Sequence, residues 1–236
     1  MKLLSIECSA KSASCAIADN GKIIASSFVN TTLTHSETLM PMINSALNCS
    51  KTDIDDIDVF AISHGPGSFT GIRIGISALK GMAIAKNKAC VGVSTLYAIA
   101  NNFKDRDAVV CATMDARCNQ VYAALFRIKS GKITRLCEDK AVKMEELKSD
   151  ILKLRYKCPI IIAGDGANIF YPLVSCEEKV ILADEHLRYQ NAVGVAFAGI
   201  ESFNKGKFTS PEKLLPIYLR LPQAERELKN KKEKKL

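Results

Sequence analysis

The sequence predicts an α/β protein made of two tandem lobes, each with the element order βββαβαβα. Several short segments alternate apolar and polar residues with a period of two, which is typical of strands. Between them lie segments whose apolar residues recur at helical spacing. The same order of elements occurs once on each side of a boundary near residues 102–107. We therefore place an N-terminal lobe at residues 1–104 and a C-terminal lobe at residues 105–236.

The first half begins with a three-stranded meander. Asn20-Gly21 joins its second and third strands, and this pair favours a hairpin because both residues tolerate positive φ. Thr34 and Glu37 have the spacing of a capping box at the start of the first helix. Pro41 lacks a backbone donor, so we expect a bend in that helix. The predicted elements are strands at 2–9, 12–19, 21–30, 57–63 and 89–93, and helices at 36–48, 71–86 and 95–101, the last capped by Ser94.

The second half repeats this order. Its predicted strands are 108–114, 119–129, 132–137, 159–164 and 180–182, and its predicted helices are 144–154, 167–173 and 191–203. Residues 211–220 form a connector interrupted by proline. A charged helix is predicted from Gln223 onward.

The composition is that of a globular protein of a reducing compartment. Of 236 residues, 47% are hydrophobic, which excludes intrinsic disorder. No apolar run approaches the about 18–20 residues that span a bilayer, and Glu7 interrupts what would be the apolar part of a signal peptide. Nine cysteines without a C-x-x-C pair predict free thiols. We therefore expect a cytoplasmic protein with no membrane partner.

The net charge of 33 − 25 = +8 is partly concentrated at the C-terminus. The last twelve residues carry six basic and three acidic groups. This tail fits a solvated helix end, although contacts to a phosphate backbone need no sequence pattern and weak RNA attraction stays open. Elsewhere the sequence shows no concentrated basic segment.

The most distinctive stretch is the glycine-rich segment 65–75, which leads from a strand into a helix. Such a place can bind an anion. However, Thr70 stands where a dinucleotide fingerprint has its third glycine, and Thr70, Gly71 and Ile72 replace the Gly-Lys-Ser/Thr of a Walker A loop. Small residues line one side of the helix, at Gly71, Gly75, Ala78 and Ala85, with Gly81 nearby. That stripe packs either on the chain's own sheet or on another chain, and the residues alone leave both open.

The segment Gly65-Pro66-Gly67-Ser68-Phe69-Thr70-Gly71-Ile72-Arg73-Ile74-Gly75 resembles the signature of the TsaB (YeaZ) family, glycoprotease-like subunits of tRNA threonylcarbamoyladenosine biosynthesis. Supporting matches are His35-Ser36-Glu37, Leu39-Met40-Pro41-Met42, Val91-Gly92-Val93-Ser94, Met114-Asp115-Ala116-Arg117 and Pro216-Ile217-Tyr218-Leu219-Arg220. The resemblance implies an actin/Hsp70-like (ribonuclease H-like) fold. It also implies a non-catalytic scaffold or activator that binds the catalytic subunit TsaD and, through the complex, the ATPase TsaE. In relatives the same helices form a homodimer when the chain is alone, and the sequence leaves monomer or homodimer open here. The implied tRNA contact is indirect or weak.

The resemblance further implies that the helices at 36–48 and 71–86 form the partner surface, which favours the docking alternative for the small-residue stripe. The implied partner-binding residues are His35, Leu39, Met40, Ile43, Leu47, Gly71, Arg73, Ile74, Gly75, Ala78 and Met82. On this interpretation, Gly75→Leu leaves the fold intact and blocks association, because a large side chain separates two backbones.

A catalytic site of the chain's own is not expected. TsaD-like proteins hold a metal with His-x-x-x-His, and the matching positions here are Thr95 and Ile99. Active nucleotide-binding members of the fold have Asp-x-Gly-Thr in the first hairpin, where this chain has Glu7-Cys8-Ser9-Ala10. We therefore predict no catalytic residue, no metal and no cofactor.

Two weaker sites and one alternative function stay open. Weak or vestigial nucleotide binding has Glu7, Gly164 and Gly166 as its candidates, although Gly164 and Gly166 also suit a tight turn. Asp115 and Arg117 predict an internal ion pair at the lobe junction, ahead of a tRNA or ligand contact. The alternative function is an independent ATP-binding phosphotransferase or metallopeptidase of the same fold.

Overall fold

The computed structural model describes residues 1–220. The charged helix predicted from Gln223 and the lysine-rich tail lie outside the described residues. Within them, no helix is both long enough and apolar enough to cross a bilayer.

The predicted order of elements is confirmed, with most boundaries within two residues of the prediction. The strands are β1 Lys2–Glu7, β2 Ala13–Asp19, β3 Lys22–Val29, β4 Val59–Gly65, β5 Ala89–Ser94, β6 Ala108–Asp115, β7 Gln120–Lys129, β8 Lys132–Arg135, β9 Lys140–Lys143, β10 Ile160–Ala163 and β11 Val180–Leu182. The α-helices are α1 His35–Ser50, α2 Phe69–Ile84, α3 Thr95–Asn101, α4 Met144–Leu152, α5 Ala167–Phe170, α6 Glu185–Arg188 and α7 Ala192–Asn204. Strand β9 and the short helix α6 were not predicted.

Local chemistry explains the boundaries. Asn20 and Gly21 have φ values of 48° and 83°, as the hairpin turn requires. At the start of α1, the Thr34 N–H donates to Oε2 of Glu37 at 2.8 Å, which satisfies a donor that no helical carbonyl reaches. The Ser94 hydroxyl accepts the Tyr97 N–H at 3.2 Å and caps α3. Helix α1 continues through Pro41, so the bend there stays a prediction.

The two halves build sheets of the same topology. The first sheet has the order β3-β2-β1-β4-β5, and the second has the order β11-β10-β6-β7-β8, with β9 also paired to β7. In each, an antiparallel hairpin is followed by parallel strands reached through helices. This is the two-lobed actin/Hsp70-like arrangement that the sequence predicts.

Two helices are exchanged between the halves. Helix α3 comes from the first half, but its residues Leu96, Ile99 and Ala100 pack in the apolar cluster of the second sheet. Helix α7 comes from the second half and covers the face of the first sheet that carries Leu3 and Val59. The two helices cross closely: a Cβ at Gly194 would lie 2.2 Å from the Ala98 carbonyl oxygen. The lobe boundary at 104/105 stays a prediction. Helix α3, before that boundary, packs on the second sheet, and helix α7, after it, packs on the first.

The other face of the first sheet carries α1 and α2. Leu4, Ile6 and Ile62 on the strands pack against Ile43 of α1 and Leu79 of α2. Because strand side chains alternate between faces, Leu3 and Leu4 serve opposite helix layers. The first sheet is therefore buried on both faces, and α1 and α2 lie side by side on one of them.

After α7 the chain returns to the first sheet. We term residues 209–220 the C-terminal strap. Cys90 and Thr209 exchange two backbone hydrogen bonds of 2.9 Å, and the Ile217 N–H donates to the His64 carbonyl at 2.7 Å. The strap therefore lies along β5 and the end of β4.

Candidate functional site

The glycine-rich segment is filled by the chain's own backbone. The Ser68 N–H, at the start of α2, donates to the Ser9 carbonyl oxygen at 2.6 Å. A Cβ at Gly67 would lie 2.4 Å from that oxygen, and one at Gly71 would lie 2.1 Å from the Cys8 carbonyl oxygen. Carbonyl oxygens of the β1–β2 connection thus occupy the position in which an anion binds at a helix N-terminus. The glycines permit this close approach, and no phosphate cradle is left open there.

Glu7 lies at the end of β1 and is fully buried. Its Oε1 accepts the Ser9 N–H at 2.6 Å and the Ser9 hydroxyl at 2.5 Å, and its Oε2 accepts the Ser63 hydroxyl. Burial raises the pKa of Glu7, and these hydrogen bonds oppose the shift. Both oxygens are engaged by neighbouring side chains and backbone. The sequence did not show that Ser9 and Ser63 hydrogen-bond Glu7. Ser63 lies on β4, 56 residues along the chain, so no local pattern links it to Glu7.

A second carboxyl, that of the half-buried Asp165, faces the same region. Burial raises the pKa of Asp165, and the charge of Asp115 adds to the shift. The Gln190 Nε2 donates to Asp165 Oδ1 at 2.6 Å. Coulombic repulsion between Glu7 and Asp165 adds to the rise in the pKa of Glu7. These groups form a polar layer between the strand ends of the two sheets.

Gly164 and Gly166 belong to a tight turn between β10 and α5. Gly164 has φ of 95°, and a Cβ there would lie 1.8 Å from the Thr113 carbonyl oxygen. A Cβ at Gly166 would lie 2.8 Å from the backbone carbonyl carbon of Met114. The structure thus agrees with the tight-turn interpretation of this segment. The two glycines let the turn after β10 lie directly against the backbone of β6 at Thr113 and Met114.

The positions that match the His-x-x-x-His motif are buried in α3. Thr95 and Ile99 are fully buried, and neither provides an imidazole. The histidines lie apart. His35 Nε2 hydrogen-bonds the Ala10 carbonyl at 2.8 Å, and His64 packs against Gly92 with its pKa lowered by burial. Residues 1–220 contain no cluster of three or more His, Cys, Asp or Glu side chains able to hold a metal ion.

Asp115 and Arg117 form an ion pair, with 3.4 Å between Oδ2 and Nη1, but the Arg117 side chain is 82% exposed, so the pair lies at the surface and not inside the lobe junction as predicted. Asp115 Oδ1 also accepts the Arg117 N–H at 2.7 Å. Arg117, Cys118 and Asn119 all have positive φ. The guanidinium of Arg220, in the strap, donates to the Ala116 carbonyl oxygen. The strap therefore connects this turn of the second half to the glycine-rich segment of the first.

The structure divides the eleven predicted partner-binding residues into two groups. Four of them face the chain's own core, namely Leu39, Ile43, Gly71 and Gly75. A Cβ at Gly75 would lie 2.6 Å from the Cys8 sulfur and 2.8 Å from the Ile62 Cδ1. This corrects the prediction for Gly71 and Gly75, which pack against the chain's own β1, β4 and β1–β2 connection and not against a partner.

The remaining residues lie toward the outside of the two helices. Met40 and Arg73 are exposed, and His35, Leu47, Ile74, Ala78 and Met82 are half-buried. Gly81 is exposed, and a Cβ there would have no neighbour within 4 Å. We term Met40, Leu47, Ile74, Ala78, Gly81 and Met82 the α1–α2 surface. Arg73 contacts Phe69 and Tyr218 within the chain. The sequence match at Tyr218 did not predict this contact.

Comparison with known proteins agrees with this architecture. The family model described as "TsaD: tRNA N6-adenosine threonylcarbamoyltransferase" matches residues 26–227. The chain is 29% identical over 222 residues to the "tRNA threonylcarbamoyladenosine biosynthesis protein TsaB" of Escherichia coli (strain K12), covering 93% of this chain and 95% of the relative. It is 26% identical over 232 residues to the protein of the same description from Bacillus subtilis (strain 168), covering 95% and 96%. The solved structure "YeaZ from Pseudomonas aeruginosa" superposes with a TM-score of 0.77 at 23% identity, covering 92% of this chain and 99% of that one.

Proposed function

We propose a function from one premise: the chain belongs to the TsaB (YeaZ) family. In this proposal it takes part in tRNA threonylcarbamoyladenosine biosynthesis as an accessory subunit. It binds a catalytic subunit of the TsaD type through the α1–α2 surface. It makes and breaks no bond itself, and the TsaE ATPase joins through the complex.

The observation that carries the proposal is the exposed apolar character of α1 and α2 above a well-packed core. Met40 is 40% exposed, and Ile84, at the end of α2, is 53% exposed. Leu47, Ile74, Ala78 and Met82 on the same two helices are half-buried and pack against the core beneath them. Large exposed apolar side chains on neighbouring helices mark protein interaction sites. Because both helices are anchored on the sheet, the surface is preorganised and binding costs little ordering entropy.

The polar residues at the strand ends of the two sheets support a non-catalytic role. Glu7 is enclosed by hydrogen bonds from Ser9 and Ser63, and the start of α2 is occupied by the Ser9 carbonyl. Thr95 and Ile99 stand where catalytic relatives have metal-binding histidines. We therefore propose that the chain acts by stabilising the competent conformation of its partner, a shift of population.

The test is association of the full chain with the TsaD-type subunit of the same organism, measured by mass photometry. Gly81→Arg places a large side chain on the α1–α2 surface where nothing is displaced inside the chain. It also raises helix propensity, by about 0.8–1 kcal/mol relative to glycine, so the fold is kept. The matched control is Ser149→Arg, exposed on α4. We expect a complex with the wild type and with the control, and none with Gly81→Arg.

Two results would count against this function. One is a complex that forms equally well with Gly81→Arg, which would place the interface elsewhere. The other is turnover by the purified chain alone, of ATP with Mg²⁺ or of a peptide, which would support an independent enzyme. A homodimer of the isolated chain is proposed to use the same surface, so Gly81→Arg is also expected to give a monomer.

A further inference from the structure

We infer that the second half of the chain carries a binding surface for the phosphate backbone of RNA. We term it the basic surface, and it consists of Arg127, Lys129, Lys132, Arg155 and Lys157. The choice of RNA as the occupant rests on the proposed function, in which tRNA is the substrate of the complex. The charge distribution itself stands on the structure alone.

The basic surface forms where β7 extends beyond the helix layer. Leu125 of β7 packs in the cluster that contains Leu147 and Ile151 of α4. Because side chains alternate along a strand, Arg127 and Lys129 continue on that same face. Both are exposed, so that face of the sheet changes from a covered apolar surface to an open basic one.

Two further segments bring cations to the same place. The β7–β8 hairpin pairs Lys129 with Lys132. The loop after α4 places Arg155 and Lys157 around Tyr156, and the Arg127 guanidinium lies 5.1 Å from the centre of the Tyr156 ring. Two neighbouring cavities of about 380 and 420 Å³ share Arg127 and Lys129 as lining residues. The five cations thus surround one continuous concave region, although they come from separate parts of the sequence.

The positive charge of this region is only partly compensated, because Glu177 and Glu178 line a neighbouring cavity together with Arg155 and Lys157. Within residues 1–220, none of the five cations has a carboxylate within 4.0 Å. Among the residues that line these two cavities, the acidic one is Asp107, which lines the cavity of about 380 Å³. Its Oδ1 accepts the Ser130 N–H at 2.7 Å. Like charges directly opposite on neighbouring strands destabilise a sheet, and Lys129 opposes Lys132 in this way. An extended polyanion would relieve that repulsion.

A phosphodiester backbone fits the surface better than a membrane does. Its charges are regularly spaced and its contacts with Lys and Arg need no base sequence. The half-buried Tyr156, beside a guanidinium, offers a stacking partner of the kind that RNA-binding surfaces use for unpaired bases. A peripheral membrane site would instead combine basic residues with an exposed apolar face that enters the lipid, and the residues lining these two cavities present none.

The test is binding of the full chain to an unmodified tRNA transcript, followed by fluorescence anisotropy at several salt concentrations. The variant is Lys129→Gln/Lys132→Gln. The matched control is Lys22→Gln/Lys51→Gln, which removes the same charge from exposed positions in the first half. Each lost phosphate contact lowers the salt slope, the slope of log K against log salt concentration, by about one. We expect the first variant to lose about two units of slope and the control to keep the wild-type slope.

Three outcomes, besides an unchanged salt slope in the variant, would overturn the inference. The first is no tRNA binding by the wild type at low salt. The second is an equal loss of slope in both variants, which would show general charge attraction only. The third is binding to vesicles of anionic phospholipid that tRNA does not displace, which would make the surface a membrane contact.

The inference and the proposed function fail in distinguishable ways. Lys129→Gln/Lys132→Gln is expected to form the complex with the TsaD-type subunit as the wild type does, because the α1–α2 surface is untouched. Loss of tRNA binding with the complex retained supports both proposals. An unchanged tRNA slope with the complex retained would sink only the RNA surface, whereas no complex with a changed slope would sink only the scaffold.

Discussion

The ring of Tyr218 stacks on the ring of Phe69, with centroids 3.8 Å apart and an angle of 12° between the planes. The hydroxyl of Tyr218 accepts a hydrogen bond of 2.8 Å from Nε of Arg73, and the Arg73 guanidinium also lies over the Phe69 ring at 4.4 Å. This three-residue stack joins the C-terminal strap to the first turns of α2. It explains structurally why the matched segment 216–220 accompanies the glycine-rich segment 65–75.

We expect Tyr218→Ala to lower the free energy of unfolding by about 1–3 kcal/mol, since an aromatic stack and a hydrogen bond to a charged group are lost. Tyr218→Phe keeps the stack and loses only the hydrogen bond, so its effect is expected to be smaller. Urea unfolding of both variants measures the difference. Equal losses in the two variants would show that the stack contributes nothing.

Gly75→Leu is expected to destabilise the chain itself, which corrects the sequence-based expectation that it blocks association without affecting the fold. A side chain there collides with Cys8 and Ile62, and overpacking of a core costs about 1–3 kcal/mol. Gly81→Leu on the same helix is the control, because a Cβ there meets nothing within 4 Å. Thermal unfolding should show a lower Tm for Gly75→Leu and an unchanged or higher Tm for Gly81→Leu. If Gly75→Leu matches the wild type in Tm, the packing of α2 on β1 is not as described.

The buried carboxyl of Glu7 predicts a pH dependence of stability. Its pKa is raised in the folded chain by burial, so the folded state binds a proton more tightly than the unfolded state does. The resulting stabilisation is complete below the ordinary pKa of 4.5 and is lost as the pH rises through the folded-state value. Glu7→Gln removes this titration while its amide still pairs with the two serine hydroxyls.

The difference in unfolding free energy between the wild type and Glu7→Gln should therefore fall as the pH rises from about 4.5, with a slope of at most about 1.4 kcal/mol per pH unit for one proton. Urea unfolding over a pH series measures it. Parallel stability curves for the two proteins would mean that Glu7 does not titrate differently on folding.

The nine cysteines should separate by burial when the native chain is alkylated. Cys49, Cys118 and Cys176 are exposed. Burial raises the pKa of Cys15 and Cys90 to about 11, and it raises the pKa of Cys8 and Cys111 further. Because the thiolate is the nucleophile, iodoacetamide should modify the three exposed thiols first and the four buried ones only after unfolding. Peptide mass mapping gives the order, and early modification of Cys8 or Cys111 would contradict the core packing.

Much of the fold could be predicted because its signals are local. Asn20-Gly21, the Thr34 and Glu37 pair, and Ser94 each act on backbone groups a few residues away, and all three were found where the sequence placed them. Strand β9 escaped prediction because its sequence, Lys140-Ala141-Val142-Lys143, shows neither an alternation of apolar and polar residues nor a sustained apolar run. Apolar spacing showed that α2 has a packed face, but it could not assign Gly75 to that face or to a partner.

The candidate site could be predicted only in part. The helices of the proposed α1–α2 surface were identified through the resemblance. The division into outward and inward residues required the packing of Cys8 and Ile62 against α2. No spacing rule brings Lys129 beside Arg155, because the two lie on different elements and meet only when β7 and the loop after α4 pack together.

The amino-acid order by itself determined most of the elements, their order, its repetition in the two halves and the family resemblance, since each depends on neighbouring residues or on contiguous motifs. Tertiary structure alone decided that α3 and α7 exchange sheets, that carbonyl oxygens of Cys8 and Ser9 occupy the start of α2, and that scattered cations share one concave face. The physical reason is the range of the interactions. A turn or cap is settled over three or four residues, whereas the hydrogen bond from the Ser5 hydroxyl to the Ala192 carbonyl spans 187 positions and exists only once α7 has packed on the first sheet.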